Sequence, residues 1–156
     1  MPNKPYISRD DALRRLQRYC AYQDRCHQEV RRKLLDLGIY GDDLENIIAE
    51  LITDNFLNEE RFARSFARGK FQTKGWGRLR ILQELKARQI SAYCQRKALE
   101  EIPEMAYREK LEQVLQKKSR ELDGEEPFKA RQQLVQYALR RGYEMELILE
   151  AVDRKR

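Results

Sequence analysis

Leu34-Leu35-Asp36-Leu37-Gly38-Ile39 closes a helix-forming run with a glycine and an apolar residue, and the chain repeats that closure twice. Leu85-Lys86-Ala87-Arg88-Gln89-Ile90 follows 51 residues later, and Ala138-Leu139-Arg140-Arg141-Gly142-Tyr143 another 53 beyond it. Ten residues past Gly38, Gln89 and Gly142 lie Ile48, Leu99 and Val152, each preceded by Ile47, Ala98 or Ala151. A period of this length marks a repeat protein. Each unit reads as helix, tight turn and short helix, with a third helix in the first two. Units this small cannot bury their apolar faces alone and must stack on their neighbours.

The rest of the chain agrees with a helical array. Leu, Arg, Glu, Gln, Lys and Ala dominate it, and these residues lose little rotamer freedom in a helix. No β-branched run alternates with polar residues over strand length. The expected fold is all-α: tandem three-helix repeats in an elongated, curved array of about nine helices. Helices are expected near Arg9–Gln23 (capped by Ser8), Cys26–Leu37, from Asp42, and from Asn58. Five more follow near Arg78–Arg88, Ala92–Ile102, Glu104–Leu122, Phe128–Arg141 and Met145–Arg154. The expected division is a tail and helix over 1–25, repeats over 26–72 and 73–123, and a two-helix repeat over 124–156.

Charge is distributed unevenly. The net charge is +6, yet Arg61 to Lys97 holds eleven Lys or Arg against the single acid Glu84, a local +10. On a helix starting at Asn58, about 100° per residue puts Arg61, Arg64 and Arg68 on one face. Phe62, Ala63, Phe66 and Ala67 fall on nearly the opposite one, where core packing is the simplest role. Lys70, Lys74, Arg78 and Arg80 continue the basic run through Lys74-Gly75-Trp76-Gly77-Arg78. Glycines beside Trp76 let the backbone approach a partner closely. Trp76 itself suits three roles: stacking on a base, anchoring a protein contact, or covering the junction between two repeats. Just before this stretch, Asp42 to Glu60 carries seven acids and no base. A bipolar chain fits a partner that is itself a protein–DNA composite better than naked DNA.

Catalytic readings find little support. There is one histidine, His27, no phosphate-cradling glycine loop, and no Ser/His/Asp set. Asp42–Asp43 and Glu59–Glu60 are neighbours that point about 100° apart on a helix and make poor metal pairs. Cys20, Cys26 and Cys94 lack zinc-ligand spacing and read as reduced thiols. No cofactor is implied. Met1-Pro2-Asn3-Lys4-Pro5 has no apolar signal core, and no apolar run reaches about 18 residues, so a cytoplasmic location is expected. No heptad seam persists over several turns, which makes a monomer the default.

These residues resemble the RecX family of regulatory proteins, modulators of the RecA recombinase filament. The likeness rests on Glu29-Val30-Arg31-Arg32-Lys33-Leu34 ending at Gly38-Ile39, on Asn58-Glu59-Glu60-Arg61-Phe62-Ala63, and on Lys74-Gly75 leading to Glu84-Leu85. It spans about Ala12 to Val152. It implies a non-enzymatic regulator that binds the RecA–single-stranded DNA filament and inhibits its recombinase, ATPase and co-protease activities. Direct DNA contact stays open, as do capping versus groove binding, and a stand-alone helical nucleic-acid-binding protein is the alternative. Three positions depart from the family pattern: Cys26 for the usual serine, Asn58 for an acid, and Gln89 for a glycine, which should tighten or shift that helix end.

Overall fold

The computed structural model describes residues 7–154, and the expected tail before Ile7 lies outside them. Among the described residues there are nine α-helices and no strand. They are α1 (Arg9–Tyr22), α2 (His27–Asp36), α3 (Gly41–Thr53), α4 (Glu59–Gly69), α5 (Arg78–Ala87), α6 (Ala92–Leu99), α7 (Glu104–Glu121), α8 (Pro127–Arg140) and α9 (Met145–Arg154). A π-helical turn, Lys70–Lys74, extends α4 as far as Gly75.

Local chemistry sets the boundaries. Ser8 Oγ accepts the Asp11 amide and Asn58 Oδ1 the Arg61 amide, so both expected caps fill orphan donors of the first turn. Cys26 also opens α2 as expected, with its amide donating to Glu29 Oε1 at 3.0 Å. The thrice-written closure is one turn built three times. Ile39 N, Ile90 N and Tyr143 N each donate to the carbonyl five residues back, at 2.9, 3.1 and 3.1 Å. Gly38 and Gly142 occupy the left-handed position, and Gln89 does so too at φ +59°. The expected shift at Gln89 therefore does not occur. The turn keeps its shape and the side chain carries the backbone cost.

The buried apolar side chains gather into two cores. Ala12, Leu16, Val30, Leu34, Leu44, Ile47, Leu51 and Leu57 form one core from α1, α2 and α3. A second core takes in Cys26 and runs from Phe62 to Val152 through α4–α9. The main helix-to-helix contacts fall within three groups, α1–α3, α4–α6 and α7–α9. The Ala12–Leu16–Cys20 stripe of α1 lies in the first core, where α1 packs on α3. Two separate cores leave more surface than one. The 18.8 kDa chain exposes 10133 Å², against about 8,300 Å² for a compact monomer of that mass.

The second and third units meet backbone to backbone. Gly77 N donates to Arg141 O at 2.7 Å and Leu79 N to Gly142 O at 2.9 Å. A Cβ on Gly77 would lie 2.5 Å from Tyr143 N, and one on Gly142 would lie 2.5 Å from Arg80 N. Only glycine fits at either side of this contact. The close approach read from the glycines around Trp76 is therefore used within the chain.

Candidate functional site

The basic stretch separates, in three dimensions, into paired and unpaired charges. Arg61, Arg64 and Arg68 do share a face of α4, but acids from distant parts of the chain meet them. Arg61 Nε lies 2.7 Å from Asp24 Oδ1, and its Nη2 donates to the carbonyls of Asn55 and Phe56. That arginine ties α4 to the first unit. Arg64 pairs with Glu60 and Glu101 at 3.0 Å each and with Glu100 at 3.6 Å, and Arg68 also pairs with Glu101. Arg88 pairs with Glu84 and Lys97 with Glu100.

Arg78 turns inward. Its guanidinium sits 3.9 Å from the centre of the Tyr107 ring and pairs with Glu144 at 2.9 Å and with Glu104. Its amide donates to Tyr107 Oη at 2.9 Å, while that hydroxyl donates to Glu144. Burial and the hydrogen bond to Glu144 push the Tyr107 phenol far above its usual range, so it stays a neutral donor. Glu104 is held below the usual carboxylate range by the Arg78 hydrogen bond. This cluster is a clamp between units two and three.

Lys70, Lys74 and Arg80 differ: among the described residues no carboxylate pairs with them. Lys70 Nζ lies 5.1 Å from the Trp76 ring centre and 5.5 Å from that of Phe66. The Arg80 guanidinium carbon is 4.2 Å from the Trp76 centre. Trp76 meets Phe66 edge-on at 6.3 Å and is half-buried against the second core. Arg88, which the sequence did not single out, stacks over Phe66 at 4.8 Å. Lys74 is exposed at the end of the same π turn.

This arrangement changes what Trp76 can do. With Arg80 already over the indole, a base could stack there only by displacing a cation contact of about 0.5–1 kcal/mol. The indole instead holds the guanidinium in one orientation, with its donors free for an anion. Less side-chain freedom is then lost on binding. Lys70, Trp76 and Arg80 form one cation–aromatic cluster, with Lys74 exposed on the π turn before it.

The acidic side of the chain is also partly used internally. Glu45 pairs with Arg31, Glu50 with Arg9 and Glu60 with Arg64, while Glu59 accepts the Ser91 amide at 2.9 Å. Asp42, Asp43 and Asp54 remain exposed. Cys20, Cys26 and Cys94 are free and buried, and burial raises the Cys20 thiol to about 11. Among the described residues no group of three or more His, Cys, Asp or Glu could hold a metal ion, and no helix is long and apolar enough to cross a membrane.

Fold and surface together define a class: a tandem three-helix-repeat protein with a cation–aromatic cluster on its surface. Sequence profiles narrow it. The second three-helix domain of RecX matches residues 58–99, and the third matches residues 106–152. The regulatory protein RecX of Salmonella heidelberg is 32% identical over 148 residues, covering 86% of this chain and 85% of its own. That of Prosthecochloris aestuarii is 28% identical over 142 residues, covering 91% of each. In fold, the chain is similar to the crystal structure of RecX from Lactobacillus salivarius. The TM-score is 0.83 at 23% identity, over 94% of this chain and 95% of that one. The chain belongs to the RecX family of regulatory proteins. The first profile match begins beside the start of α4 and the second within the first turn of α7.

Proposed function

We propose that this protein binds the RecA filament on single-stranded DNA and lowers its assembly, ATP turnover and co-protease activity. It acts as a cytoplasmic monomer and catalyses no reaction of its own. One observation carries this beyond family membership. Among the described residues Lys70, Lys74 and Arg80 have no carboxylate partner, whereas Arg61, Arg64, Arg68 and Arg78 each have one. Unpaired, oriented cations favour phosphate and acidic protein side chains alike. Asp42, Asp43 and Asp54 on the first unit offer the opposite sign to basic protein surface. A nucleoprotein filament presents both kinds of target, whereas naked DNA would leave the acidic residues unused.

Strand exchange by the cognate RecA tests this. Inhibition at protein concentrations well below the recombinase supports filament binding. Inhibition that appears only when the protein is abundant enough to cover the DNA supports the stand-alone nucleic-acid binder instead. In that case binding should weaken with salt at a log–log slope near −0.7 per phosphate contact on single strands.

A further inference from the structure

The segment that carries Lys70, Lys74, Trp76 and Arg80 belongs to the second unit, yet the third unit holds much of its backbone. Arg141 donates its guanidinium to the Lys74 carbonyl. Tyr143 Oη donates to the Gly75 carbonyl at 2.8 Å. Gly77 N and Leu79 N are bound by the Arg141 and Gly142 carbonyls, and Arg78 N by Tyr107 Oη. Lys110 Nζ reaches the Gln72 carbonyl at 3.5 Å. Backbone groups of six residues between Gln72 and Leu79 thus take partners from residues 107–143.

The segment needs such support. A π turn is uncommon and usually confined to one turn, and this one ends at Gly75 in the left-handed conformation. Tyr143 is fully buried, and burial raises its phenol well above the usual range, so the hydroxyl stays a donor. Within its own unit the Arg141 side chain reaches Tyr137 on α8, and the Tyr143 hydroxyl finds its hydrogen-bond acceptor in the second unit. Both reach toward the turn that precedes Trp76.

We propose that Arg141 and Tyr143 are positioning residues: from the α8–α9 turn they hold the Lys74–Gly77 backbone so that Lys70, Trp76 and Arg80 form one ordered surface. The third unit thereby governs how well the second unit grips its partner. This rests on the patch being the filament contact.

Trp76 is the only tryptophan in the chain, so its emission reports on the patch alone. The test compares wild type with Tyr143→Phe, Arg141→Gln and the packing control Ile148→Val, each verified as helical by circular dichroism. Two readouts are taken: acrylamide quenching of Trp76 without partner, and inhibition of RecA ATP hydrolysis. Loss of one hydrogen bond, about 0.5–1.5 kcal/mol, converts to a ~2- to 10-fold rise in the half-inhibitory concentration for Tyr143→Phe. Its Trp76 should quench more readily, and Arg141→Gln should match it. Ile148→Val should leave both readouts at wild-type values. Unchanged quenching in Tyr143→Phe and Arg141→Gln overturns the positioning role. Increased quenching with undiminished inhibition overturns the patch as the filament contact and leaves the positioning of Trp76 standing.

Discussion

Gly142→Ala should disrupt the junction between the second and third units, and its cost can be worked out from the contacts. Gly142 has φ +98°, a conformation that costs an L-residue about 1–2 kcal/mol. Its new Cβ would meet Arg80 N at 2.5 Å and Arg80 Cα at 3.0 Å, in the rigid first turn of α5. Relief to ordinary contact requires a movement of about 1 Å, which takes the 2.9 Å Leu79 N–Gly142 O bond out of hydrogen-bond range. The neighbouring Gly77 N–Arg141 O bond goes with it, at about 1 kcal/mol for each bond. Alanine's smaller unfolded-state entropy returns about 0.4–1 kcal/mol. The net loss is about 3 kcal/mol.

Gly124 supplies the control. It has φ +89° but nothing within 4 Å of where a Cβ would sit, so Gly124→Ala isolates the backbone cost. Urea unfolding followed at 222 nm would measure both. With an m-value of about 2 kcal/mol/M, Gly142→Ala should lower the midpoint by about 1.5 M and Gly124→Ala by about 0.5 M or less. Equal shifts for the two variants would refute the claim that backbone contact joins the units.

Gln89→Gly should be neutral or stabilise by up to about 1 kcal/mol, because it removes a left-handed side chain at the cost of a freer unfolded chain; thermal unfolding reads this directly. Acid should weaken the clamp. Glu104 is depressed by its bond to Arg78, and Glu59 lies below its usual value because the Ser91 hydrogen bonds outweigh the burial that would raise it. A carboxylate lowered on folding stabilises fully above its ordinary value of 4.5 and loses that stability as pH falls through the lower folded value. Unfolding midpoints should therefore drop as pH is taken below 4.5, and Glu104→Gln should flatten the drop. Reversing Arg61, Arg64 and Arg68 together should lower the melting temperature by about 10 °C, since it breaks the tie to Asp24 and the pairs on Glu101. Changing Lys70, Lys74 and Arg80 to Gln should leave the melting temperature nearly unchanged while raising the half-inhibitory concentration about tenfold.

The helices were legible because their signals are local. Ser8, Asn58 and Gly38 act within one turn of themselves, and the Leu34–Ile39 closure reads the same wherever it stands. The π turn had no comparable signal, since Lys70–Lys74 is ordinary helical composition given its shape partly by Arg141 and Tyr143. The site was half legible for the same reason. Helical spacing put Arg61, Arg64 and Arg68 on one face correctly, but their neutralising acids come from Asp24, Glu100 and Glu101, far along the chain or in the next helices. A charge count over Arg61–Lys97 therefore overstated the field that reaches solvent. Tyr107, Glu144 and Tyr143 gave no functional hint because a buried aromatic and a helix-start glutamate look like core and cap. Gly77 and Gly142 touch across 65 positions, and neither alone announces the other.

ATP hydrolysis by the cognate RecA on single-stranded DNA, with this protein titrated from far below the recombinase upward, decides whether the patch regulates a filament. Substoichiometric inhibition by the wild type, weakened about tenfold in the Lys70→Gln, Lys74→Gln, Arg80→Gln variant, is the expected result. Inhibition only at concentrations that sequester the DNA, or full inhibition by that variant, would contradict it.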